Sequence, residues 1–298
     1  MKTSRLIVIC ILLTFVAALP AMAGPRTFVS GLGNDANPGT REQPKRTFAS
    51  ALTVTDPGGE VVVLDPAGFG SSTLTINKSV SIIVPAGIFG GIRVTSGPAI
   101  TVAAGSGDTV VLRGLTLNSG GGSDGIVFQS GAALHVENCI LNGFTGGHAI
   151  FVPSSAGESA RLYMKDTICR RNFNGIRCQA GRGSLDHVRL EQNASSGLSV
   201  SGSGTQVSIA NSVASGNTTG LHSSGSAGEL NIEACLVANT VFSGILSQSG
   251  ATVRVSNSTV TNNGTGLNNN STLVSRLNNT VQGNTANKNG TIGSFAAD

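Results

Sequence analysis

One pattern returns along this chain and limits what it can fold into. DTICRRNFNGI (166–176), HVRLEQNASSGL (187–198), NSVASGNTTGL (211–221) and NSTVTNNGTGL (257–267) are variants of a single plan: two polar corners, then a glycine–aliphatic pair. Aligned on their aliphatics, the segments begin at Leu134, Leu162, Leu185, Val207, Leu230, Val253 and Val274, spaced 21 to 28 residues apart, with Leu185 entering two residues late. Self-similarity at such a period belongs to solenoids, propellers and arrays. Stretches such as VSIA and VRVS alternate with period two, the signature of strands with one face inward. After residue 60 no ten-residue stretch carries helical periodicity, and the regular leucines of a leucine-rich repeat are missing. Three short strands per turn predict an all-β fold, a right-handed single-stranded parallel β-helix.

Stacked turns place equivalent residues in columns about 4.8 Å apart. The first corner column is expected to run Asn138, Asp166, His187, Asn211, Ala234, Asn257, Asn278, and the second Asn172, Asn193, Asn217, Asn239, Asn263, Asn284. A carboxamide both donates and accepts, so stacked asparagines can bond to each other and to the turn backbone. On this reading the asparagines form ladders that hold the corners, His187 stands in for one of them, and the Asn-x-Ser/Thr sequons are by-products. The same alignment puts Cys139 and Cys235 in one inward column and Cys169 in another, with Cys178 also inward. Cys139 and Cys235 lie four rungs apart, about 19 Å, beyond the reach of about 7 Å that a disulfide allows. Cys169–Cys178 is the one pairing the columns leave open. Buried free thiols are expected.

Residues 1–23 read as an export signal: Lys2 and Arg5, an apolar run from Leu6 to Leu19, and a cleavage site after Ala23. That run is short for a membrane span, and no later apolar stretch is long enough for one, so the expectation is a secreted or periplasmic protein without membrane contact after signal cleavage. Without Lys2 and Arg5 the chain keeps 17 basic against 15 acidic residues, a net charge of +2. That gives no basis for nucleic acid as a partner. Residues 24–60 differ from the rest. They read as an N-terminal cap with a short strand, a turn-rich loop and a short helix at TFASAL starting at Thr47, closing the exposed end of the solenoid that fills 61–298. Within the loop, GNDAN offers Asn34, Asp35 and Asn37 as calcium ligands, against the alternative of a loop rich in turn formers.

FVSGLGNDANPGT, TFASAL, VVVLDPAGFG and TINKSVSIIV, together with the asparagine-cornered coils, resemble the pectate-lyase-like superfamily of right-handed parallel β-helix proteins over residues 26–290. The resemblance implies a polysaccharide partner and a substrate groove along the Gly-Φ-x-Φ strand and the loop before it. The outward residues of that strand are then Val127, Phe151, Arg177, Ser199, His222, Leu246 and Asn268, and those just before it Asp124, His148, Asn174, Ser196, Thr219, Ser243 and Thr265. Asp124, His148 and Asn174 should stack on successive rungs beside Arg177, with Arg170 and Arg171 entering the same loop. The resemblance implies Arg177 as the base of a lyase, with Asp124 and His148 as catalytic partners. Asn174, Arg170, Arg171 and His222 are the candidate substrate contacts.

Motif tests narrow this. A calcium-dependent pectate lyase needs several acids on neighbouring rungs, and Asp124 is the one acid in these columns. The acid pairs of glycoside hydrolases are missing, GGH at 146–148 is a weak echo, and Ser123 adjoins Asp124 too closely for a triad. Arg161, Lys165, Arg170, Arg171, Arg177, Arg182 and Arg189 read either as an anion-binding band or as solvated charges around one coil. The functional expectation is binding, and lyase-type cleavage, of an acidic glycan. The alternative is a non-catalytic, adhesin-like or structural β-helix, which the Ser/Asn/Thr-rich stretch from 193 onward suits.

Overall fold

The computed structural model describes residues 24–296; the expected signal sequence lies outside them. The described chain is a parallel β-solenoid of about ten turns. Each turn contributes up to three strands, here assigned to faces A, B and C. In one turn these are Asn174–Cys178 on face A, Arg182–Asp186 on face B and Arg189–Glu191 on face C. Face C forms a ten-stranded parallel sheet. Faces A and B fall together in a twenty-stranded one, because two strands, Ser243–Ser256 and Thr265–Ser275, run through the bend between them.

Alternation builds the interior. Leu134, Leu162, Gly183, Val207, Leu230, Val253 and Leu273 are in register on face B. Leu141, Cys169, Leu190, Ala214, Val237 and Val260 are in register on face C, all of them buried. Small aliphatics suit a flat interior whose rungs approach closely, and burying them supplies most of the favourable term, at about 25 cal/mol per Å² of apolar surface. The last turn corrects the alignment by one residue: Leu273, not Val274, is the inward aliphatic. All four described cysteines are buried free thiols, including Cys169 and Cys178.

Two corner columns divide the work that the sequence assigned jointly to asparagine. The B-to-C corner needs one residue in the left-handed region, and Asn138, Asp166, His187, Asn211, Ala234 and Asn257 take it with φ between 49° and 52°. Asn, Asp and His tolerate this conformation better than most residues. They are exposed, so their job is conformational. In the last turn Leu277 (φ 67°) occupies the position expected for Asn278.

The C-to-A corner pairs a left-handed residue with a buried one. Arg171, Gln192, Asn239 and Asn262 have φ of 54–56°, and the next residue in each turn points inward. Asn172, Asn193 and Asn217 fill the buried position in succession. Asn193 Oδ1 accepts from the Asn172 backbone N–H and from its Nδ2 (both 3.1 Å). Asn217 Oδ1 accepts likewise from Asn193 N (2.9 Å) and Nδ2 (3.0 Å). Each Nδ2 also reaches back to a strand carbonyl, Leu141, Cys169 or Leu190. Asn263 and Asn284 repeat the arrangement. The expected link Asn239 is not in this column. Ser215 pairs with Ala238, so two residues on, Asn217 is matched by Thr240. Thr240 donates forward to Asn263 (3.0 and 2.8 Å). Among the described residues no side-chain bond joins Thr240 to Asn217.

The N-terminal segment contributes its own first rung: Arg26–Val29 pairs in parallel with Glu60–Val63. The helix Phe48–Val54 begins at the N-cap Thr47, whose side chain accepts from Ser50 N. Phe48, Ala51 and Leu52 are buried, with Phe48 5.1 Å from the ring of Phe69.

Candidate functional site

Face A carries the expected outward column in register. Val127, Phe151, Arg177, Ser199, His222, Leu246 and Asn268 follow one another rung by rung. The residue three earlier in each turn forms a second column, and here the side chains meet. Asp124 Oδ1 accepts from the His148 backbone N–H (2.8 Å). Asn174 Oδ1 accepts from Ser196 N (2.9 Å), which fixes its Nδ2 as the donor toward His148 Nδ1 (3.2 Å). Nδ1 of His148 is therefore an acceptor, and its proton sits on Nε2. The ring leans on Phe151, centroids 4.9 Å apart. Asp124, His148, Asn174 and Arg177 come together as the sequence placed them. Asp124 supplies the histidine's backbone with a fixed acceptor, and among the described residues no second acid joins it.

Arg177 lies between two histidines. Burial pushes the His148 imidazole below its ordinary value, with Asp124 opposing and Arg177 adding to the depression. Burial likewise lowers His222, Gln248 opposes and Arg177 adds. Gln248 Oε1 lies 3.1 Å from His222 Nε2, so Nε2 donates there and Nδ1 keeps its lone pair. Both imidazoles are neutral at pH 7 beside a fixed positive charge. Arg177 Nε is buried and has no hydrogen-bond partner among the described residues. Gln248 was missed in the sequence; it stands two residues after Leu246, the next outward position on that strand.

A rim borders this face. Backbone bonds align Gly147, Phe173, Ser195, Thr218 and Phe242 in the column before it. Phe173 and Phe242 are 43% and 65% exposed, respectively, three rungs or about 14 Å apart. The smaller Ser195 and Thr218 stand between them.

Other candidates lie elsewhere. Arg170 ends a face C strand and Arg171 is the left-handed residue after it. They line a recess with Glu191, Gln192, Ser215, Gly216 and Asn239, around the corner from Arg177. The two arginines therefore do not enter the Arg177 groove, because the buried Asn172 turns the chain between them. The basic cluster of 161–189 is dispersed likewise: Arg161, Lys165 and Arg182 on face B, Arg170 and Arg189 on face C, Arg177 on face A. In the cap loop, Asp35 Oδ1 accepts from Arg46 N and Thr47 N (both 2.9 Å) and Oδ2 from Thr47 Oγ1 (3.0 Å). Asn34 Oδ1 accepts from Ala36 N, and Asn37 turns its amide to Pro44 O. These oxygens lock the loop onto the helix N-terminus and do not fit a calcium ligand set. No group of three or more His, Cys, Asp or Glu side chains converges among the described residues.

A family model described as "Right handed beta helix region" matches residues 98–286. The chain belongs to the right-handed β-helix family. Among solved structures this β-helix protein is similar to pectate lyase Pel9A, at 17% identity and a TM-score of 0.66, covering 91% of this chain and 80% of that one. A rhamnogalacturonan lyase follows at 13% identity and TM-score 0.48, covering 84% and 70%, and the A-module of the Azotobacter vinelandii mannuronan C-5 epimerase AlgE4 at 12% and 0.43, covering 81% and 91%. At these identities the likeness is one of fold. No curated protein matches the sequence.

Proposed function

We propose that this β-helix protein is exported, secreted or periplasmic, and binds an acidic polysaccharide along face A, where it carries out lyase-type cleavage. The observation behind this reading is Arg177: a guanidinium whose buried Nε lacks a partner among the described residues, set between two neutral imidazoles. A guanidinium stays charged at any ordinary pH and presents a planar fork to a carboxylate. It is thus better suited to hold a uronate carboxylate than to act as the base. His222, with Nδ1 free, is the proton acceptor on this reading. The proton α to the carboxylate moves to Nδ1, the C–H electron pair forms a carbon–carbon double bond, and the glycosidic oxygen departs and is protonated by water. Asn174 orients His148, and Phe173 and Phe242 offer ring faces for sugars on either side.

The test is a depolymerisation screen on polygalacturonate, alginate and a neutral glucan, with calcium and with chelator, reading unsaturated product by ultraviolet absorbance. Calcium enters because substrate carboxylates can supply the oxygens that the protein's acids do not. Product from an acidic glycan that disappears in Arg177→Ala and His222→Ala, with the fold intact, supports the reading. Binding without product would point to a non-catalytic, adhesin-like surface, which the exposed Phe173, Val241 and Phe242 also suit.

A further inference from the structure

Face B carries a second constellation that face A does not use. Its middle outward column runs His135, Tyr163, Ser184 and Ser208 on successive rungs. His135 and Tyr163 stack, with ring centroids 4.7 Å apart and planes 22° from parallel. Rung spacing alone sets such a distance, so the stack continues the solenoid's own repeat. It then stops: the next rung presents Ser184, too small to cover the other face of the tyrosine ring, and Tyr163 remains 40% exposed.

Charge gathers beside that open ring face. Arg161 and Arg182 are directly opposite one another in the parallel ladder. Like charges in that relation destabilise a sheet unless something offsets them, and among the described residues neither arginine has a carboxylate within ion-pair range. Arg161 is held in place by the carbonyls of Glu158 and Ala160 (2.8 and 3.0 Å). On the far side of the column, Lys165 is opposite Asp186, whose carboxylate is already engaged by Asn211 Nδ2 and His187 Nδ1, both at 2.9 Å. Lys165 itself has no ion-pair partner among the described residues. Elsewhere on this face Arg113 pairs with Glu137 and Arg254 with Glu229, while Glu233 is hydrogen-bonded to Ser256 and Asn257.

We infer that face B holds a second subsite for an acidic oligosaccharide, separate from the Arg177 groove. One uronate ring stacks on the open face of Tyr163 over Ser184, and its carboxylate and that of the neighbouring uronate engage Arg161 and Arg182. A ring stacked there is the third member of a series that the protein begins with His135 and Tyr163. Carboxylates on the polymer remove the repulsion between the two arginines. The subsite needs no chemistry on face A; it anchors a glycan on a neighbouring face of the same coil.

The chain supplies its own reporter. It contains one tyrosine and no tryptophan, so native tyrosine emission reads Tyr163 alone. A galacturonate hexamer, a neutral glucose hexamer and a single-stranded DNA oligonucleotide are each titrated into wild type, Arg177→Gln, and the Arg161→Gln/Arg182→Gln double variant, with folding checked by far-ultraviolet circular dichroism. The expected result is a saturable emission change with the galacturonate hexamer and none with the glucose hexamer. Its midpoint should be the same in Arg177→Gln and weaker by about tenfold or more in the double variant, which loses charge-assisted contacts. Three results would overturn the subsite: no emission change with the galacturonate hexamer, an unchanged midpoint in the folded double variant, or DNA titrating as the hexamer does. Loss of the Tyr163 response leaves the product assay on face A untouched, so the two readings fail separately.

Discussion

Asn217 and Asn239 look interchangeable in sequence, yet the structure gives them opposite worth. Asn217 is fully buried. Its Oδ1 takes both the backbone N–H and the amide of Asn193, and its Nδ2 reaches Leu190 O at 2.8 Å. Asn217→Ala leaves the buried Asn193 N–H without its partner and takes from Leu190 C=O, which stays in the face C ladder, its side-chain donor, while the Asn193 amide keeps its bond to Cys169 O. The orphaned N–H costs about 1–3 kcal/mol. Asn239 is exposed, sits at φ 56° and makes one side-chain bond, to Ser215 Oγ at 3.3 Å. Asn239→Gly suits that backbone, and its cost is within about 0.5 kcal/mol, as for most surface changes. Urea unfolding followed by circular dichroism compares the two variants with wild type. Asn217→Ala should shift the midpoint to clearly lower urea and Asn239→Gly should barely move it. Equal shifts would refute the assignment of load to the buried column.

Burial pushes the thiols up, to about 12 for Cys139 and Cys178 and about 11 for Cys235. The folded protein should therefore be silent to thiol reagent at pH 8, and the unfolded, unreduced chain lacking residues 1–23 should titrate four thiols; two or fewer would contradict the free-cysteine assignment. The folded pKa values of His148 and His222 lie below 6.5, so the unfolded chain binds more protons, and their contribution is intact above about pH 6.5 and lost as pH falls toward the folded values. The urea midpoint should drop over that acidic range, and less so in a His148→Gln/His222→Gln variant. Phe173→Ala and Phe242→Ala should each weaken binding of a long uronate chain on calorimetry while leaving the thermal midpoint within a degree or two, since both rings are exposed; unchanged affinity in both would remove the rim from the binding surface.

The outward columns of face A were legible because period two and the glycine–aliphatic anchor fix them, whatever happens at the corners. Arg177, Ser199 and His222 thus fell into place from spacing alone. The corners were harder because asparagine serves two purposes there. It tolerates a left-handed backbone, as at Asn211, and it bridges buried backbone groups, as at Asn217. Asn239 has the first role and was read as having the second. Counting from the preceding face C strand would have identified Thr240. Arg170 and Arg171 were placed in the groove because sequence distance does not show that a buried asparagine turns the chain between residue 171 and residue 173. Gln248 and the Tyr163 stack depend on side chains crossing between rungs, which the repeat permits without announcing.

The missing bond between Asn217 and Thr240 divides the buried corner into two separately linked runs, one on either side of the rung boundary. A solenoid's stability is close to a sum over neighbouring repeats, so a boundary that lacks one coupling is where its cooperative length is shortest. Fraying from the C-terminal end should therefore halt at this seam, keeping the asparagine run that supports Arg177 but releasing Gln248 and Phe242 from face A.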